Sequence, residues 1–231
     1  NTAGKIDALS KADCLVVPND RQRHYFSAWD ALAGGNAAYP HLFTFPLAFP
    51  STFPLKRSAA PGSCCTFMYA GNCWPWIDSG KELRCLAKVI EGRTDAQLEL
   101  LVGHPLGHGP VLFEKPQANV HEHSLQAREQ MLERYARAEV AIDLYAENPE
   151  RRLAFSTRTA EYLWAGLPII TYAYSDIAAL VLRYQAGWVL EDHTGLEALL
   201  PNIIEDTKDR KQRSRNALRL AAEEFSLTRA P

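Results

Sequence analysis

The 231 residues carry a formal net charge of −2, with 47% hydrophobic and 23% charged residues, an ordinary globular balance. Such a near-neutral chain lacks the basic excess that phosphate neutralisation demands, which argues against a nucleic-acid binder. No apolar run reaches the ~20 residues needed to span a bilayer. The five cysteines, Cys14, Cys64, Cys65, Cys73 and Cys85, are odd in number and irregular in spacing. They make neither a disulfide framework nor a zinc pattern and read as reduced thiols of a cytosolic protein.

In chain order, residues 5–12 read as the end of a helix and 14–18 as a short buried strand stopped by Pro18. Asn19 or Asp20 can cap a helix over 21–33 that ends at Gly34-Gly35. Residues 39–62 contain Pro40, Pro46, Pro50, Pro54 and Pro61 and read as an extended linker. A regular alternation follows. Strands are expected at 66–70, 98–102, 140–144, 167–171 and 187–190. Helices are expected at 80–91, 124–137, 158–165, 175–185, 194–205 and 207–224, with a short apolar segment at 111–113 and a polar loop at 145–157. The charged stretch from Glu205 to Arg219 reads as a solvated helix face with i,i+4 pairing. Short strands between longer helices predict an α/β fold, a Rossmann-like parallel sheet with helices on both faces. Such sheets bind ligands at the carboxyl ends of their strands, which selects the loops 70–80, 103–110, 114–123 and 145–160.

The most informative run is 148–170, which follows one strand, opens a helix and leads into another strand. Ser156, Thr157 or Thr159 can cap that helix, so its free amides and positive end face the binding edge and suit a phosphate. Arg158 adds a permanent charge with fork geometry. Glu161, one turn further on, is placed to hold a pair of ribose hydroxyls. The same residues also fit a plain helix cap, a solvated arginine and a surface glutamate, and spacing alone leaves both readings open. Trp74 and Trp76 offer flat apolar area to a sugar or a base, or pack on a neighbouring helix. His121-Glu122-His123 lacks the i,i+4 spacing of two ligands on one helix face, so no metal is expected and both histidines read as loop residues. His104, at a strand end, could touch a phosphate.

The stretch Glu161-Tyr-Leu-Trp-Ala-Gly-Leu-Pro-Ile-Ile resembles the donor-site segment of the family 4 retaining glycosyltransferases, which have the two-domain GT-B architecture. Tyr69-Ala70-Gly71-Asn72 resembles the strand and glycine turn that open the family's C-terminal domain, and Leu100 to Pro105 its next strand and turn. Residues 12–23 resemble the last strand and helix of the N-terminal, acceptor-side domain. The resemblance implies that Glu161 binds the ribose of a nucleotide sugar. It implies that amides around Ser156, Thr157 and Thr159, with Gly71, Asn72 and His104, hold the diphosphate, and that Arg158 acts in catalysis. Many family members carry two acidic residues eight positions apart. Here Leu153 stands at the first of those places, and the nearest acid is Glu150, eleven residues before Glu161, which resembles an acid in a subset of the family and is carried over as catalytic. The family's Arg and Lys in the loop after the glycine turn are also missing, because 72–80 holds no base before Lys81.

The resemblance therefore implies residues 1–60 as a remnant of the acceptor-side domain with its linker, and 61–231 as the nucleotide-sugar-binding domain. An acceptor domain needs roughly 100 residues, so a missing N-terminal domain is expected and this chain alone should transfer little. The expected activity moves a sugar from a UDP- or GDP-sugar donor to a glycan or lipid-linked acceptor hydroxyl in the cytoplasm. No cofactor and no metal are required, no nucleic acid takes part, and a peripheral contact of the full-length protein with the inner face of the membrane stays open. A non-catalytic nucleotide-sugar-binding module and a sugar-nucleotide epimerase are the alternatives.

Overall fold

The computed structural model describes residues 2–35, 41–45, 47–55, 64–72, 74, 77–103, 112–124 and 126–229. The N-terminal piece consists of α1 (Thr2–Ser10), β1 (Leu15–Val17), α2 (Asp20–Leu32) and β2 (Leu42–Thr44). β3 (Cys65–Asn72), α3 (Gly80–Ile90), β4 (Ala96–Gly103), β5 (Val120–Ser124), α4 (Arg128–Arg137) and β6 (Val140–Asp143) follow. After these come α5 (Pro149–Leu153), α6 (Thr157–Trp164), β7 (Ile169–Tyr172), α7 (Ala178–Tyr184), β8 (Gly187–Leu190), α8 (Leu196–Glu205) and α9 (Thr207–Glu224).

β3 to β8 form one parallel sheet in the order β5-β4-β3-β6-β7-β8. Successive strands step outward from β3 to one edge, and the chain then returns to β6 on the other side of β3. That is the doubly wound order, with its switch point between β3 and β6. β3 shows why the strands read as continuous apolar runs. Phe67 and Tyr69 enter the core beneath α3 and α8, beside Leu83, Leu86, Ile90, Leu200 and Ile203. Met68 and Ala70 enter the opposite core with Tyr135, Tyr162, Leu163, Val181 and Leu220. A strand buried on both faces has no polar side to alternate with.

Four readings of the sequence need correction. Within the expected linker, Leu42–Thr44 forms a strand that pairs in parallel with β1. The ladder is built from backbone, Leu15 N to His41 O at 2.7 Å and Phe45 N to Val17 O at 2.8 Å, and three residues between prolines carry no periodic signal. Residues 120–124, expected as the end of a loop and the first residue of a helix, are the edge strand β5. An edge strand here keeps partly exposed polar side chains, and His123 sits within 3.1 Å of the Glu99 carboxylate and 3.2 Å of Arg134 Nη1. The polar loop 145–157 contains α5, capped by Asn148 with Pro149 at its first turn. Finally, Arg210 is not on a solvated face: it is 4% exposed and paired with Glu139 at 2.7 Å.

The linker segment around Phe49 packs on α6. Phe49 stacks on Trp164 at 5.0 Å between ring centroids, Phe53 meets the same indole edge-on, and Trp164 Nε1 donates to Pro50 O at 2.8 Å. The N-terminal piece docks through the start of α2. Arg21 Nη1 donates to the carbonyls of Arg152 and Tyr174 at 2.9 and 2.8 Å, and Asn19 Nδ2 donates to Asp176 at 3.1 Å. The α2 contacts seat chain from before β3 beside the segments that follow the carboxyl ends of β6 and β7.

Candidate functional site

A cavity of about 540 Å³ opens at the switch point. Its floor is the end of β3 (Ala70, Gly71, Asn72), one wall is the start of α6 (Ser156, Thr157, Arg158, Glu161), and another is the α4 face of Arg128, Met131 and Tyr135. Leu47 and Phe49 from the linker and Trp74 from the loop after β3 complete it. The carboxyl edge of a doubly wound sheet, at the strand-order reversal, is where this topology leaves room for a ligand.

The amino end of α6 lines this cavity. Ser156 caps the helix by accepting from Thr159 N at 3.3 Å, which leaves the Thr157 and Arg158 amides without a side-chain acceptor among the described residues. Thr159 itself turns away from the cavity. Its hydroxyl donates to Asp143 Oδ1 at 2.6 Å, and the Thr171 hydroxyl donates to the other carboxylate oxygen at 3.2 Å. A buried acid at the end of β6 thus ties the first turn of α6 to β6 and β7. Tyr162 fixes the next turn by accepting from Ala70 N at 2.7 Å. The helix end is therefore held rigidly against the sheet edge, which preorganises the amides.

Arg158 lies in the cavity wall, with its guanidinium turned toward the protein. It donates to Ala70 O and lies over the rings of Tyr69 and Tyr145, 5.4 and 5.1 Å from their centroids. Its Nε is buried with no hydrogen-bond partner among the described residues. Gly71, at φ +153°, makes this possible: a Cβ there would overlap the Arg158 guanidinium. The glycine thus serves both the backbone conformation and the close approach of the arginine.

Glu161 is 8% exposed and pairs with Arg128 Nη1 at 2.7 Å. Glu150 lies outside the cavity lining. It sits exposed on α5 and chelates its neighbour Arg151, which lines the cavity, at 2.6 and 2.7 Å. Of the site residues expected from sequence, Gly71, Asn72, Ser156, Thr157, Arg158 and Glu161 converge on the cavity. Thr159 and Glu150 stand behind it, and His104 and Trp76 fall outside the described residues.

Two residues of this region were missed in the sequence. Asp143 has a signal, since it is the lone acid ending an apolar strand at the sheet's binding edge. Arg128 has none, because the fold alone brings the start of α4 to Glu161. Burial pushes the Asp143 carboxyl above its ordinary value, outweighing the Thr159 and Thr171 hydrogen bonds and the nearby Arg158 charge, which pull it down. A carboxyl raised in the folded state favours folding while both states are protonated. That advantage is lost as pH rises from the unfolded value through the folded one. Asp143→Asn is expected to abolish this slope. In urea denaturation, wild-type stability relative to the variant should fall as pH rises above the ordinary aspartate range, and a relative stability that grows with pH would contradict the assignment.

No family model and no curated protein matches the chain. Solved structures do. Sucrose-phosphate synthase from Thermosynechococcus elongatus superposes at TM-score 0.66 and 15% identity, covering 98% of this chain and 58% of that one. WaaG, a glycosyltransferase involved in lipopolysaccharide biosynthesis, matches at 0.66 and 19%, covering 90% of this chain and 58% of its own. Anabaena HepE, solved in complex with UDP-glucose, matches at 0.66 and 14%, covering 98% and 64%. The fold is that of GT-B glycosyltransferases, with the six-stranded sheet corresponding to their C-terminal domain. The chain spans less than two thirds of the length of these structures.

Proposed function

We propose that this chain is the donor-side part of a GT-B glycosyltransferase of the family 4 type, which holds a nucleoside-diphosphate sugar for transfer to an acceptor hydroxyl. One observation carries the reading: the α6 amino end and the Glu161 carboxylate open on the same switch-point cavity. The amides of Thr157 and Arg158 are suited to the diphosphate and Glu161 to the ribose hydroxyls. The solved complex of HepE with UDP-glucose supports a ligand of this class. In the proposed reaction the bond from the anomeric carbon to the diphosphate breaks and a bond to the acceptor oxygen forms. The acceptor proton is released, and the leaving diphosphate is stabilised by preorganised donors without need of a metal. Retention at the anomeric carbon, a cytoplasmic setting and the division at residue 60 into an acceptor-side remnant and a donor domain belong to the same proposal. Among the described residues no helix is long and apolar enough to cross a membrane.

Thermal-shift and calorimetric titration with UDP, GDP and their sugars tests it, since a ligand of the native state raises the melting temperature. Saturable binding of one nucleotide series is expected. Failure of both series to bind at millimolar concentration would refute the donor-site assignment. A binding module without turnover is the second reading, favoured by the position of Glu150 outside the cavity. Nucleotide affinity without transfer or donor hydrolysis by the full-length protein would select it.

A further inference from the structure

The family's basic pair after the first glycine turn is absent here, so the cavity must meet a diphosphate's charge by other means. Three guanidiniums line it among the described residues. Arg158 is committed to Ala70 O and two tyrosine rings, and Arg151 is chelated by Glu150 and lies 5.6 Å from the Tyr145 ring centroid. Arg128 differs. Its side chain is 56% exposed, and its ion pair is with Glu161, the only carboxylate lining the cavity among the described residues.

Its setting points the same way. Arg128 is the first residue of α4, whose N-cap, Ala127, provides no side-chain hydrogen bond. A cation at a helix amino end is electrostatically unfavourable without an anion beside it, the place Glu161 fills here and a phosphate could take over. Further along the same helix face, Tyr135 is fully buried at the cavity wall, and its hydroxyl has no hydrogen-bond partner among the described residues. A buried hydroxyl of this kind calls for a polar ligand atom.

We infer that Arg128 is a diphosphate-binding residue of this site, which exchanges its Glu161 partner for phosphate oxygens when a nucleoside diphosphate binds. The inference rests on the donor-site reading above. In the exchange, the ribose hydroxyls take over the Glu161 oxygens that Arg128 now occupies, and the guanidinium, anchored on α4 but half-exposed, swings onto the diphosphate. The Glu161 carboxylate trades one guanidinium for two hydroxyl donors, and Arg128 trades one anionic partner for another. An arginine suits this role because its fork can bridge two phosphate oxygens.

The test compares UDP with uridine, or GDP with guanosine if that series binds, on wild type, Arg128→Ala, Arg128→Lys and Glu161→Ala. Nucleosides are read by competition, and each variant is first checked for an unchanged thermal melt. Arg128→Gln, which retains the stem and hydrogen-bonding capacity, replaces the alanine variant if that one melts early. Loss of Arg128 is expected to weaken the nucleoside diphosphate roughly tenfold or more while changing the nucleoside less than about twofold. It should also flatten the salt dependence of binding, and lysine should restore part of the affinity. Equal losses for nucleoside and diphosphate would reduce Arg128 to a support for Glu161 and overturn the inference, as would an unchanged diphosphate affinity. If wild type binds neither series, or Glu161→Ala binds as wild type does, the underlying donor-site reading has failed instead.

Discussion

Glu161→Ala is expected to weaken the binding of the cognate nucleotide by at least tenfold, with Glu161→Gln falling between the variant and wild type. A carboxylate that accepts hydrogen bonds from two ribose hydroxyls contributes about 1.5–3 kcal/mol for each charged contact, which corresponds to roughly tenfold or more in affinity. Gln keeps one carbonyl acceptor and the shape but loses the charge. The substitution should leave the fold intact. Glu161 pairs with a half-exposed arginine at the cavity wall, and no other hydrogen bond of its carboxylate is present among the described residues. Solvent screens such a pair and limits its contribution to stability. Loss of affinity with an unchanged melt therefore isolates a binding role, and calorimetry separates it from a folding defect. If the alanine variant bound with wild-type affinity, the ribose assignment would be wrong, however well the helix end suits a phosphate.

The sheet was legible because its strands are buried on both faces. Runs such as Phe67-Met68-Tyr69-Ala70 and Val140-Ala141-Ile142 have no amphipathic alternation, and turn residues bound them, so five of the sheet's six strands and their parallel sense follow from composition and spacing. What escaped was structure made by backbone or by distant partners. β2 and β5 are short or polar and become strands only because a neighbour offers a ladder. The linker wall of the cavity escaped for a related reason. Leu47 and Phe49 sit in a proline-rich stretch that looks extended, and what holds it down, the Trp164 indole and the backbone of Phe225 and Leu227, lies far along the chain. In the site, the α6 end was readable through its cap and its glutamate, since both lie within one local segment. Arg128 belongs to another element, and local pattern does not report long-range convergence. Arg158 shows the opposite hazard: its residue type suggested a charge open to solvent, while the rings of Tyr69 and Tyr145 and the carbonyl of Ala70 enclose it.

Arg210 gives the second large expected effect: Arg210→Ala should destabilise the fold by about 3–5 kcal/mol, the range for breaking a buried ion pair from one side. Its guanidinium bonds Glu139 Oε2 at 2.7 Å, the Ile203 and Ile204 carbonyls at 2.5 and 2.6 Å, and the Thr207 hydroxyl at 3.0 Å. It thereby stitches three places together: the turn before β6, the carboxyl end of α8, and the start of α9. The two carbonyls are terminal acceptors of α8 with no later helical amide to receive, and a buried arginine at that end also complements the helix dipole. Alanine removes the four hydrogen bonds and leaves a cavity, and Glu139, whose side chain is 16% exposed, loses the cation beside it. Arg210→Met keeps most of the stem volume and should cost less than alanine, because part of the role is packing. Arg210→Lys keeps the charge but cannot reach all four acceptors and should also fall short of wild type. Urea denaturation at neutral pH reads all three. A loss below about 1 kcal/mol for alanine, the size expected of a surface pair, would place Arg210 back on a solvated helix face.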